Sequence, residues 1–144
     1  MRNVIYIVVI AALAYGFVHE RHVWIPDAPI DAQQTDNALP DAYNNRKSDV
    51  QVRGEGVVTK VLRDDLRGSR HQRFILRLST GQTLLVAHNI DLAPRVEDLR
   101  EGDTVQFYGE YEWNAKGGVL HWTHHDPSGR HVGGWLRHGG KSYQ

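Results

Sequence analysis

From residue 50 to residue 125 the chain alternates apolar and polar residues in short runs, and each run ends at a turn signal. Side chains two apart share one face of a β-strand, so this alternation builds half-buried strands and gives a helix little to bury. The clearest run is 71–79, with Phe74, Leu76 and Leu78 on one face and Arg73 and Arg77 on the other. Thr80-Gly81 then signals a tight hairpin, and 82–88 (QTLLVAH) is the returning strand. The first run, 50–62, carries Gly54 and Gly56, as a long strand that bends or bulges does. Val105, Phe107 and Tyr111 share a face in 104–113, and after the glycine-containing loop 114–118 the fifth run is 119–125.

Between the third and fourth runs, Pro94 followed by VEDLR predicts a helix of one or two turns with acids near its start. Five strands with a short helix between strands three and four give an all-β, five-stranded OB-fold-like barrel. An SH3-like barrel or an open meander is the rival arrangement. The barrel domain is expected over 50–144. Residues 19–49, with Pro26, Pro29 and Pro40 among Asp, Ala, Gln and Asn, read as a flexible linker. Residues 4–18 carry no charge and follow Arg2, as in a signal anchor or the apolar core of a signal peptide. The positive-inside tendency then predicts export. The domain would sit on the periplasmic side of the inner membrane if anchored through 4–18, or be soluble in the periplasm or secreted if cleaved.

Composition removes several classes of chemistry. There are no cysteines, so disulfides, thiolate metal sites and thiol nucleophiles are excluded. The formal net charge is zero, which excludes polyanion binding driven by bulk charge. Five of the nine histidines, however, fall between Gly117 and His138. In the expected strand order one rim gathers Asp64, Asp65, His71, His88, Asn89, Asp103, His124, His125 and Asp126. If Leu120 and Trp122 point inward, His124 follows them by period two, and His88 follows Leu84 and Val86. His71, His88, His124 and His125, with a carboxylate, are then candidate ligands of a divalent, zinc-like metal. His131 and His138 read as exposed loop residues.

A second constellation is arginine. Arg63, Arg67, Arg70, Arg73 and Arg77 lie within fifteen residues beside that rim. Guanidinium groups next to imidazole and carboxylate suit a phosphate or carboxylate ligand, and a solvated sheet edge explains the same residues. Tyr108, Trp113, Trp122, Trp135 and Tyr143 offer stacking surfaces for bases or sugars, with Trp122 the strongest candidate for the core.

The phrases HQRFIL (71–76), HNIDLAPR (88–95), GDTVQFYGEYEWN (102–114) and HWTHHDP (121–127) resemble an uncharacterised bacterial family, domain-of-unknown-function family 3465. So do His131, Gly134-Trp135, His138, Gly140 and Tyr143 at the end of the chain. That resemblance implies no activity. The chain is also loosely similar to staphylococcal-type nucleases, which use an OB barrel with a rim active site. This second resemblance implies Asp64 or Asp65 as an active-site acid and Arg73, Arg77 or Arg95 as the phosphate-binding arginine. It departs where His88 replaces the expected strand-three aspartate, which spoils an all-oxygen calcium site and leaves imidazole chemistry open.

Two expectations follow. In one, the rim holds a metal and hydrolyses a phosphodiester: His88 with His124 or His125 binds the metal or activates water, Asp64 or Asp65 completes the site, and Arg73 binds phosphate. Arg77, Asn89, Arg95 and Trp113 would contact the nucleic acid or other phosphate-bearing ligand. In the other, the domain is a non-catalytic envelope module that binds a protein, glycan or oligonucleotide through the barrel face. Metal handling without catalysis is a third possibility.

Overall fold

A computed structural model describes residues 32–144, with side chains of the first helix described from Ala38 onward. Its elements are α1 (Ala32–Asn44), β1 (Val50–Val61), β2 (His71–Arg77), β3 (Thr83–Asn89), β4 (Thr104–Glu112), β5 (Val119–His121), β6 (Trp135–His138) and β7 (Lys141–Tyr143). Strand pairing runs β1-β2-β3-β5-β4 and returns to β1, so five strands close a barrel as the alternation predicts. β3 and β5 pair in parallel, and the other contacts around the barrel are antiparallel.

β1 closes the barrel by serving two neighbours. It pairs with β4 from Val50 to Val57 and with β2 from Val57 to Val61, with a bulge between Val58 and Lys60. Gly54 is needed for that course, because a Cβ there would lie 2.8 Å from the Phe107 ring. Inward residues Val52, Val58, Phe74, Leu76, Leu84, Val86, Val105, Phe107, Tyr111 and Leu120 form the core, and all are buried.

Four regions differ from expectation. Ala32–Asn44 is a helix within the stretch expected to be a linker. Leu39 and Ala42, three residues apart on one helix face, are each only 2% exposed and join the barrel core. Their apolar surface outweighs the ladder bond that Pro40 cannot make. The helix predicted at 94–100 is a single turn at 97–98 in irregular backbone, which the barrel holds instead. The fifth strand ends at His121, where Trp122 takes φ +54°. β6 and β7 then form a hairpin that pairs onto β4, so His138 lies on a strand and not in a loop. Among the described residues no helix is long and apolar enough to cross a membrane. The apolar segment 4–18 lies outside the described residues.

Candidate functional site

The barrel mouth where β3 ends is plugged, while of the expected rim residues Asp103 bonds His138 and Asp126 accepts from the backbone of its own loop. His88 is fully buried at the end of β3. Its Nε2–H donates to the Pro94 carbonyl (3.0 Å), which can only accept, so Nδ1 is the acceptor of the Thr123 hydroxyl at 2.8 Å. Burial pushes its pKa down to about 4, and the neighbouring His124 and His71 press the same way against the Pro94 bond. Gln72, its cross-strand neighbour, is equally enclosed: its Nε2 donates to Val96 O (3.1 Å) and its Oε1 accepts from Val96 N (2.8 Å). These two side chains pin residues 93–96 across the mouth, which explains why that segment has no helix of its own.

The other rim residues are also engaged. Asp64 forms a two-bond ion pair with Arg95, at 2.5 and 3.0 Å. Asp65 bridges to His71 through backbone and accepts from Arg67 N. Arg73 donates twice to the Arg63 carbonyl on the outside of β2. Asn89 accepts from Asp91 N. His71 and His124 each fix Nδ1–H on a backbone carbonyl, of Ser69 and His125. His125 is exposed. Among the described residues no three His, Asp or Glu side chains are grouped so as to hold one metal ion.

Two predicted ligand residues are elsewhere. Arg77 sits at the far end of β2, six residues or about 20 Å from His71. There it lines a cavity of about 550 Å³ with Val57, Leu78 and Glu55, and little polar chemistry converges on it. Trp113 lies at the barrel's other end, donating Nε1–H to Tyr43 O of α1 beneath Arg46. It is part of the packing of α1.

The richer chemistry is on the outer face of β1, β4, β5 and β6. Cross-strand register places three rows side by side: Glu55, Gln106 and Arg137; Arg53, Tyr108 and Trp135; Gln51, Glu110 and His121. Arg53 stacks over Tyr108 (4.9 Å) and Trp135 (5.6 Å), and Arg137 stacks over Trp135 at 4.4 Å. Neither guanidinium makes a salt bridge among the described residues. An adjoining cavity of about 480 Å³ is lined by Glu55, Gln106, Arg137, His138 and Ser142. His138 is tied there by Nε2 to Asp103 at 2.9 Å. Arg100 N first, and then His138, hold the Asp103 carboxyl below the usual range.

Sequence reasoning named Tyr108 and Trp135 as stacking surfaces but not the arginines beside them. The signal was present: Arg137 follows Trp135 by two on one strand. Arg53 was hidden because its partner row is set by β1–β4 register, which spans more than fifty residues. Trp122, expected inside, is turned outward by its positive φ, and Thr123 takes the buried place.

The family model described as "Protein of unknown function (DUF3465)" matches residues 23–144, and the chain belongs to that family. No curated protein matches the chain.

Proposed function

We propose that this member of the DUF3465 family is a non-catalytic binding module that seats a phosphate-bearing ligand, single-stranded nucleic acid in type, on the outer face of β1, β4 and β6. The observation that carries this reading is the pair of guanidinium groups, Arg53 and Arg137, stacked on Tyr108 and Trp135 without an acid partner among the described residues. Cation–π contact holds each guanidinium plane in place, and its outward N–H groups remain available for bidentate bonds to phosphate. A single strand repeats a planar base and a phosphate at each nucleotide, which matches alternating aromatic and arginine groups. Zero net charge is compatible with this, because the attraction is local to four side chains.

The mouth supports catalysis less well. His88, the buried imidazole there, has no free lone pair to act as general base or metal ligand, because Thr123 occupies it. The test is fluorescence anisotropy of a labelled oligothymidylate against the full chain. Affinity should fall with salt, with a log–log slope of about −1.4 for two phosphate contacts. The Arg53→Ala/Arg137→Ala double variant should bind at least about tenfold more weakly. Absence of binding at low salt, or unchanged affinity in the double variant, overturns the proposal.

A further inference from the structure

The third row of the same face is closed by a loop. Residues 122–134 leave β5 and fold back so that the His131 ring lies flat on Trp122, 3.8 Å away and 9° from parallel. Its Nδ1 meets Val132 O at 2.8 Å and its Nε2 meets Glu110 Oε2 at 2.5 Å. A carbonyl and a carboxylate only accept, so both ring nitrogens must carry protons. A neutral imidazole has one N–H, and it would have to drop one of these bonds and turn a lone pair toward an oxygen.

The surroundings make that loss costly locally and consequential at a distance. Glu110 also lies 3.3 Å from His121 Nε2, and Glu112 lies 3.5 Å from the same atom. Gln51 Nε2 and His121 Nε2 in this row are buried without hydrogen-bond partners among the described residues. Asp126 organises the loop by accepting from the backbone N–H of Ser128, Arg130 and His131. His124 stands 5.4 Å from the Trp122 ring, and Arg130 bonds Ser128. Trp122 itself is held at φ +54°, which is costly for a bulky residue and must be maintained by its neighbours. At the loop's end, a Cβ on Gly134 would lie 2.1 Å from Trp122 O and 2.3 Å from Tyr108 O. Gly134 is therefore wedged between the strained residue and the ligand face, and Trp135 is its direct neighbour.

We propose that protonated His131 is a latch: it holds the 122–134 loop on the barrel and thereby positions Trp135 for the ligand. The part concerning ligand rests on the binding reading above, while the latch does not. Burial works against the His131 charge, yet the Val132 and Glu110 bonds, with the fields of Glu110 and Asp126, hold its pKa above the ordinary value. The latch is therefore closed below that raised pKa. It opens as pH rises through that raised pKa.

The experiment has two arms in the full chain. Without ligand, NMR of Cε1-labelled histidine should show one resonance, missing in His131→Gln, that titrates above the ordinary histidine range. Tryptophan emission should change with the same midpoint, and that change should vanish in both His131→Gln and Glu110→Gln. A His131 that titrates in the ordinary range, or an emission change that persists in both variants, overturns the latch. With the labelled oligothymidylate, affinity should weaken about fivefold across that midpoint in wild type and not in His131→Gln. Binding without this pH dependence overturns the coupling to Trp135. No binding at any pH removes the binding reading and its coupling together, and leaves the latch to be judged by the first arm.

Discussion

At the barrel mouth, His88 and Gln72 are as deeply enclosed as the core side chains beside them, and each polar atom meets a partner. On the outer face of the same barrel, Arg53 and Arg137 lie on aromatic rings and meet no acid among the described residues. Both regions look functional as residue lists. They differ in whether the protein has already used the bonding capacity. A satisfied buried imidazole is a fastening, because taking its bonds away for a ligand leaves buried groups unpaired. A stacked but unneutralised guanidinium keeps donors for something else, even where, as in Arg137, Nε already donates to the Ser142 hydroxyl.

If the mouth is a fastening, the largest effect of any change there is on stability. His88→Ala removes a fully buried ring and strands the Thr123 hydroxyl and the Pro94 carbonyl. We expect a loss of about 4 kcal/mol, read from urea denaturation. Oligonucleotide affinity, measured where the variant is still folded, should not change. A variant of wild-type stability would mean that the mouth is loosely built, and the contrast would collapse.

The second expected effect is on the pH dependence of stability. The His88 pKa is about 4 in the fold, against roughly 6.5 for an unperturbed histidine. The unfolded chain thus takes up a proton first as pH falls. Stability is fully present above about 6.5 and is lost progressively toward pH 4, by an amount on the order of 3 kcal/mol. His131 has the opposite sign: its raised pKa gives stability below the unfolded value that is lost as pH rises through the folded one. Urea midpoints at pH 7 and pH 4 should diverge in wild type and much less in His88→Gln, whose amide can keep both bonds without titrating. Equal divergence in the two would show that another group governs the acid limb.

These two histidines also show how far the sequence could be read. The faces of β2 and β3 were legible, because Phe74, Leu76 and Leu78 and Leu84 and Val86 alternate without interruption. The burial of His88 followed from that period. Its role did not, since Thr123 and Pro94 come from a loop and from a turn mistaken for a helix. The period failed at Trp122, where one positive φ breaks the alternation and puts Thr123 inside beside His124. β6 and β7 are four and three residues long, too short for an alternation signal. Pro40 disguised α1 as linker.

A smaller effect on stability, with a larger one on binding, is expected on the outer face. Arg53→Ala should change unfolding free energy by no more than about 0.5 kcal/mol, as at a surface site without an ion pair. It should nevertheless weaken oligothymidylate binding about fivefold. Loss of stability without loss of binding would make the arginine stack a fastening too, and the two regions would no longer differ.

The smallest expected effect is that of zinc. A metal at the mouth needs imidazole lone pairs. His88 gives one nitrogen to Pro94 as a donor and the other to Thr123 as an acceptor. His71 and His124 each direct Nδ1 to a backbone carbonyl, which leaves one nitrogen on each ring. With the exposed His125 that makes three imidazoles, but among the described residues they are not grouped with a carboxylate about one point, and a zinc site needs three or four convergent ligands. Asp64 is held by Arg95 and Asp65 by its own turn. Saturating zinc should therefore raise the melting temperature of the full chain by less than about 1 °C, since a ligand stabilises only as far as it binds the folded state. A rise of several degrees at one equivalent, absent in His71→Ala/His124→Ala, would turn the mouth into a metal centre and reverse the assignment of the two regions.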